Sequence, residues 1–173
     1  MARVVVVGDS RVGKTAFAHV ACGHPLPVNI FRSTEVETFY LHGTDQVATL
    51  QVVPGTALDD VLARTCGGAD AIMVIYDSHT SIYTAKRWLQ RIEQLMDGTG
   101  RVPILICSHS SGSADPRVHD RRLSYVLQQY PHAEHTRTRM ARPAGIVDCA
   151  NRVVHHIRRR HPSPLSHHSD GGG

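Results

Sequence analysis

The apolar run Val4-Val5-Val6-Val7 leads directly into Gly8-Asp9-Ser10-Arg11-Val12-Gly13-Lys14-Thr15, and this stretch constrains the chain more tightly than any other. A valine run of this kind suits a strand buried on both faces. Residues 15–22 follow with apolar positions that suit a helix. Strand, glycine loop and helix, in that order, give the pattern GxxxxGKT the context of a phosphate-binding loop. Gly8 and Gly13 let the backbone turn closely around an anion. The backbone N–H groups of Asp9, Ser10, Arg11, Val12, Gly13 and Ala16, with the positive end of the helix, form a concave anion site. Lys14 then reaches the terminal phosphates and the Thr15 hydroxyl faces Mg²⁺. The plainer alternative is a tight turn after a buried strand with a solvated Lys14, and the agreement of placement with sequence favours the phosphate reading.

Composition bounds the rest. With 173 residues and 41% hydrophobic content the chain can bury one core, and is too short for two. Its formal charge of +4 comes from 19 Lys and Arg against 15 Asp and Glu, with 13 His. That balance permits an acidic partner but gives no argument for nucleic acid. Part of the excess sits at Arg158, Arg159 and Arg160, where it either complements the negative end of a helix in solvent or meets an acidic surface. Cys22, Cys66, Cys107 and Cys149 are scattered through apolar segments, so buried thiols in a reducing, cytoplasmic setting are expected. No CxxC pair, secretory leader or run of membrane-spanning length is seen in the sequence.

Along the chain, the first helix is expected to end near Ala21 and Cys22, since Gly23-His24-Pro25-Leu26-Pro27 cannot continue it. Residues 28–35 read as an irregular loop, and 36–41 with 47–53 as a hairpin turning at Gly43. A short helix over 57–63 precedes the apolar run 69–76, a strand buried on both faces. Residues 81–96 carry Ile82, Ala85, Trp88, Leu89, Ile92 and Leu95 at helical spacing. In that stripe Trp88 reads as packing rather than as a ligand platform. A strand over 102–107, a polar loop over 108–114, a helix from Asp115-Pro116 to Gln129, a weak strand over 133–140 and a last helix over 143–160 complete the domain. The expected architecture is a three-layer α/β/α domain over residues 1–161 with a mostly parallel sheet, ligand loops at the carboxyl ends of the strands, and a disordered tail over 162–173.

Residues 4–17, VVVVGDSRVGKTAF, and the element order over roughly 3–160 resemble the Ras-like small GTPases, especially the Rab-like branch. The resemblance implies a P-loop NTPase fold that binds GTP or GDP with Mg²⁺. In that family a threonine of the first mobile loop senses the metal and the γ-phosphate. Thr34, standing just before the strand that begins near Val36, is similar to it, with Ser33 or Thr38 as alternatives in a shifted register. Metal contacts are thus implied for Thr15 and Thr34. The family's second loop begins Asp-x-x-Gly and continues with Gln, where this chain has Val52-Val53-Pro54-Gly55-Thr56. Gly55 keeps an N–H for the γ-phosphate. Val52 has no carboxylate for a metal-bound water, and Thr56 is too short to orient the attacking water as Gln does. Asp59, Asp60 and Arg11 are weak substitutes, so no catalytic residue is assigned and turnover is expected to be slow or absent.

The family's guanine motif, Asn-Lys-x-Asp, aligns with Ser108-His109-Ser110-Ser111. His109 is placed to lie beside the purine as the Lys stem does, and Ser111 replaces a charge-assisted bond by a weaker one. Asp115 is a distant substitute for that acid, and Arg137, in Thr136-Arg137-Thr138, is a candidate to lie over the base. Rab proteins usually end in prenylated cysteines. Here the last Cys is Cys149, so no direct membrane anchor is expected. The altered second loop and the stretch from Ser108 through Gly112-Ser113 are similar to the Rab-like subunits of intraflagellar transport complexes. That implies coiled-coil protein partners and a place in the cytoplasm, cilium or flagellum. The expected function is a nucleotide-binding, partner-binding subunit that uses loops 28–35 and 54–66. A slow GTP-hydrolysing switch and a nucleotide-free scaffold are the alternatives.

Overall fold

The valine run becomes β1 (Ala2–Val7), and among the described residues the elements follow one another as β1, α1 (Lys14–Ala21), β2 (Glu37–His42), β3 (Val47–Val52), α2 (Asp59–Cys66), β4 (Ala71–Asp77), α3 (Tyr83–Leu95), β5 (Ile104–Ser110), α4 (Leu123–Gln129), β6 (Ala133–Arg139) and α5 (Pro143–Arg160). The computed structural model describes residues 1–29, 33–42, 47–96, 102–110 and 122–160, with the backbone alone at Arg158 and Arg160. The expected turn at Gly43, the base contact Ser111, the substitute Asp115, the helix start at Pro116 and the tail 162–173 lie outside these residues.

One six-stranded sheet runs in the order β2-β3-β1-β4-β5-β6. Every pairing is parallel except that of the hairpin strands β2 and β3. Alternate residues of the central strands enter two separate cores. Val4, Val6, Met73 and Ile75 pack with Phe17 of α1 and with Ile146, Ala150 and Val153 of α5. Val5, Val7, Ile72 and Val74 pack with Leu62 of α2, with Ile82 just before α3, with Leu89 and Ile92 of α3, and with Val126 of α4. Both faces of the central strands are therefore covered, which is why their sequences read as unbroken apolar runs instead of alternating ones.

Local chemistry sets the element ends. α1 stops in paired bonds, His24 N–H to His19 O at 2.8 Å and Gly23 N–H to Val20 O at 3.1 Å. Gly23 adopts φ +70°, the left-handed residue that this kind of helix ending requires. β5 runs three residues beyond its expected end at Cys107. Ser108, His109 and Ser110 continue the ladder, opposite Arg137, Thr138 and Arg139 of β6, and all three are buried. The expected polar loop thus begins later than its polarity suggests, because the backbone of these residues pairs with β6 and His109 Nδ1 meets Thr138 Oγ1.

The connections place the functional end of the molecule. β1 and β3 are neighbours in the sheet, yet α1 follows β1 into one core and α2 follows β3 into the other. Adjacent strands whose connections leave on opposite faces open a crevice at their carboxyl ends. β1 and β4 stand in the same relation, so the loop after β1 has a crevice on each side.

Candidate functional site

The site is built on the loop 8–13 between β1 and α1. Gly8 has φ +150°, and a Cβ there would stand 2.1 Å from the Ile75 carbonyl oxygen, so no other residue fits. Gly13 precedes α1 with φ +92°, in the left-handed region. Arg11, at φ +66°, adopts a left-handed conformation without being glycine. Such a residue costs about 1–2 kcal/mol relative to ordinary backbone. The chain tolerates this at an exposed position on the rim of the crevice.

Lys14 is only 7% exposed. Its Nζ donates to the Gly8 carbonyl at 2.8 Å and to the Asp9 carbonyl at 2.7 Å. The ammonium thus braces the loop across its mouth. Burial pushes its pKa down to about 8, against the opposing pull of the Asp9 charge. It is still protonated at neutral pH, but a nearby anion would hold it so more firmly.

A cleft of about 460 Å³ opens between β1 and β3. Of the residues expected to contact nucleotide, Ser10, Arg11, Gly13, Lys14, Thr15 and Ala16 line one wall. Thr34 and its neighbour Ser33 form part of another, and Gly55 with Val52 and Thr56 closes the third. Gly55 is a glycine because of close approach, not backbone strain. A Cβ there would lie 2.3 Å from the Ser10 amide nitrogen and 2.7 Å from its Oγ. The segment after β3 therefore lies directly on the loop after β1.

Asp9 and Val12 lie on the other side, around a smaller hollow of about 200 Å³ between the loop and the start of α3. The Asp9 carboxylate faces away from the main cleft. It accepts a hydrogen bond from Trp88 Nε1 at 2.8 Å and one from Arg87 at 3.3 Å. Asp59 is similarly committed, accepting from Arg91 Nε at 2.7 Å, so its carboxylate is held against α3 and is not turned to the cleft. Val52 is buried in the core under α1, and Thr56 is exposed.

Of the residues expected around a base, the described ones, Ser108, His109 and Arg137, are not among those that line this cleft. His109 is 1% exposed, where the sequence suggested a side chain lying beside a purine. The extension of β5 takes it under the loop, with its ring 3.0 Å from where a Cβ on Gly13 would be. Its Nδ1 shares a hydrogen bond with Thr138 Oγ1 at 2.9 Å, and Phe17 meets the ring edge-on at 5.9 Å. The Nε2 atom is buried without a hydrogen-bond partner among the described residues. Burial pushes its pKa below the ordinary histidine value of 6.5, with the Asp77 charge opposing. His109 is thus a neutral support of the loop. Ser108 is buried in the strand beside Arg137. Arg137 is exposed. Because Thr138 shares the His109 face, strand alternation turns Arg137 to the opposite face of the sheet.

Two contacts at the candidate site were not legible in the sequence. One is the Trp88 indole on Asp9, since the helical stripe explained Trp88 as packing alone. The other is Glu37, whose Oε2 accepts from the Thr15 hydroxyl at 3.2 Å. Alternation with the buried Phe39 and Leu41 is the signal that could have set Glu37 on the α1 side of the hairpin.

What the arrangement can hold follows from its chemistry. A cationic Lys14, a loop of turned backbone at a helix start and hydroxyl oxygens from Thr15 and Thr34 suit a polyphosphate with a hard cation. Among the described residues no group of three His, Cys, Asp or Glu side chains could hold a metal ion by itself. A cation here would depend on the ligand for part of its oxygen shell, as Mg²⁺ does at phosphate sites. None of the described helices is long and apolar enough to cross a membrane. No protein-family model matches the chain, and a search of curated proteins finds no relative.

Proposed function

We propose that the chain is an atypical P-loop domain of the Ras-like small GTPase type, which binds GTP or GDP with Mg²⁺ and works as a partner-binding subunit with weak or no hydrolysis of its own. The observation that carries this reading is Lys14, buried and braced on the carbonyls of Gly8 and Asp9 at the mouth of a cleft. The cleft joins the loop after β1 to Thr34 and Gly55. Thr15 and Thr34 are the hydroxyls available to Mg²⁺, which when bound supplies charge neutralisation between the phosphates. The protein's own part is to bind and orient: backbone N–H groups around the phosphates, Lys14 as the fixed cation, Gly55 as a close-lying amide.

Weak turnover follows from what the second loop lacks. Hydrolysis depends on a held water and on charge stabilisation at the transferred phosphoryl. Val52 is buried and apolar, Thr56 is short, and Asp59 is bound to Arg91. Nucleotide is then a structural ligand that stabilises the folded state by mass action. It fixes the segments beside the cleft, where Val28 and Leu58 stand 100% and 71% exposed. Those apolar side chains are the proposed contact surface, and the resemblance makes coiled-coil subunits of ciliary transport complexes the partner class to test.

Denaturing the purified protein and separating any released nucleotide by chromatography tests the reading. Guanine nucleotide in near-stoichiometric amount is the expected result. Adenine nucleotide would overturn the base assignment, and a protein that carries and takes up no nucleotide would favour a scaffold.

A further inference from the structure

Position 52, where the resembled family carries an acid, holds Val52, and an acid stands on the neighbouring strand. In the antiparallel β2–β3 pair, Glu37 stands directly opposite Val52, and residues directly opposite each other project to the same face of a sheet. Val52 belongs to the core beneath α1, as do Phe39 and Leu41 farther along β2. Strand alternation therefore turns Glu37 to the α1 side as well. At the end of the hairpin it passes beyond the core and reaches the first turn of α1. There, half-buried, it accepts a hydrogen bond from Thr15 Oγ1 at 3.2 Å.

We propose that Glu37 is the protein carboxylate of the Mg²⁺ site, supplied by β2 in place of the acid that β3 lacks at Val52. The inference rests on the nucleotide reading above and deepens it. Mg²⁺ at a phosphate site usually takes one or two carboxylates along with phosphate oxygens and waters. Thr15 and Thr34 offer neutral hydroxyls, and Glu37 is the carboxylate bonded to one of them. The charge has a second consequence. A carboxylate beside a polyphosphate repels it when no cation lies between them and holds it through the cation when one does. Glu37 therefore makes tight nucleotide binding conditional on Mg²⁺. It also ties the metal to the start of β2, four residues after Ser33 and three after Thr34.

The test uses the full chain freed of metal and nucleotide by chelation. GTP binding is followed by Trp88 fluorescence as Mg²⁺ is added, and Mn²⁺–GTP binding by electron paramagnetic resonance. Glu37→Gln keeps the size of the side chain and an acceptor for Thr15, so the fold is retained. It is expected to raise the Mg²⁺ midpoint about 10–100-fold and to strengthen metal-free GTP binding. Adding Val52→Asp to Glu37→Gln is expected to lower the midpoint again. An unchanged midpoint in Glu37→Gln overturns this inference while leaving nucleotide binding intact. Failure of the unmodified chain to bind GTP at any Mg²⁺ concentration overturns the nucleotide reading, and this inference with it.

Discussion

The indole of Trp88 donates its Nε1 proton to Asp9 Oδ1 at 2.8 Å and so fastens helix α3 to the glycine loop. Trp88 is the only tryptophan in the chain. Its fluorescence is expected to change when the loop takes up phosphate, because the indole is bonded to a loop residue. Trp88→Phe keeps part of the packing but leaves Asp9 with the exposed Arg87 alone, and is expected to cost at least about 1–2 kcal/mol of stability from the lost hydrogen bond and the space left behind. Asp9→Asn, which retains an acceptor, should cost less. Urea unfolding of the two variants checks the order.

On the proposed reading, Lys14 is expected to make nucleotide affinity pH-dependent. In the free protein its pKa lies near 8 because it is buried, so above that pH it sheds the proton that phosphate binding needs. Affinity is expected to be flat near neutrality and to fall as pH rises through 8, approaching tenfold per unit. Binding near pH 8 should take up protons, visible as a buffer-dependent enthalpy in titration calorimetry. For the empty protein the sign is reversed. Between about 8 and the unfolded value of 10.5 the unfolded chain holds more protons at Lys14, so this group's contribution to stability rises with pH. From about 9 upward Cys22 and Cys66, each raised to about 11 by burial, act the other way.

Two backbone positions in the loop should respond in opposite directions. Gly13→Ala places a Cβ at φ +92° and 3.0 Å from the His109 ring, so it is expected to destabilise by more than about 1 kcal/mol and to displace that ring. Arg11→Gly relieves a left-handed residue at φ +66° and is expected to stabilise by up to about 1 kcal/mol. Chemical denaturation separates the two. Equal and opposite shifts are not required; only the signs are.

His109 should make the fold sensitive to acid. Its pKa is depressed in the folded chain, so the unfolded chain binds a proton first as pH falls below 6.5. Stability contributed by the neutral ring is present above that pH and is lost toward its folded pKa. His109→Ala is expected to cost about 2–4 kcal/mol by opening a cavity under Gly13. His109→Gln should remove the acid dependence. Melting temperatures across pH 5–7 for both variants test this.

The alternation of apolar runs with helical stripes made nearly all of the element order readable, because β1, β4 and the stripe of α3 each have one dominant burial pattern. The end of β5 was misread since Ser108, His109 and Ser110 look like loop, and only their β6 partners show why they are buried. The sequence reading set the His109 side chain beside a base, whereas the ring lies buried beneath Gly13. The shape of the glycine loop was legible because a positive φ, +150° at Gly8 and +92° at Gly13, is a local backbone demand that the residue type itself records. Glu37 was missed for the opposite reason. Its proposed role depends on a cross-strand partner, Val52, and on a helix more than twenty residues earlier, neither of which a linear motif records.

The central claim is that Lys14 and its loop hold the phosphates of a nucleotide. Titration calorimetry of GTP with Mg²⁺ into the nucleotide-free chain, beside Lys14→Ala, tests it most directly. Saturable binding by the unmodified chain and a loss of at least about 1.5 kcal/mol in the variant, the scale of a charge-assisted hydrogen bond, is the predicted result. Equal affinity in the two proteins, or no heat of binding in either, would contradict it.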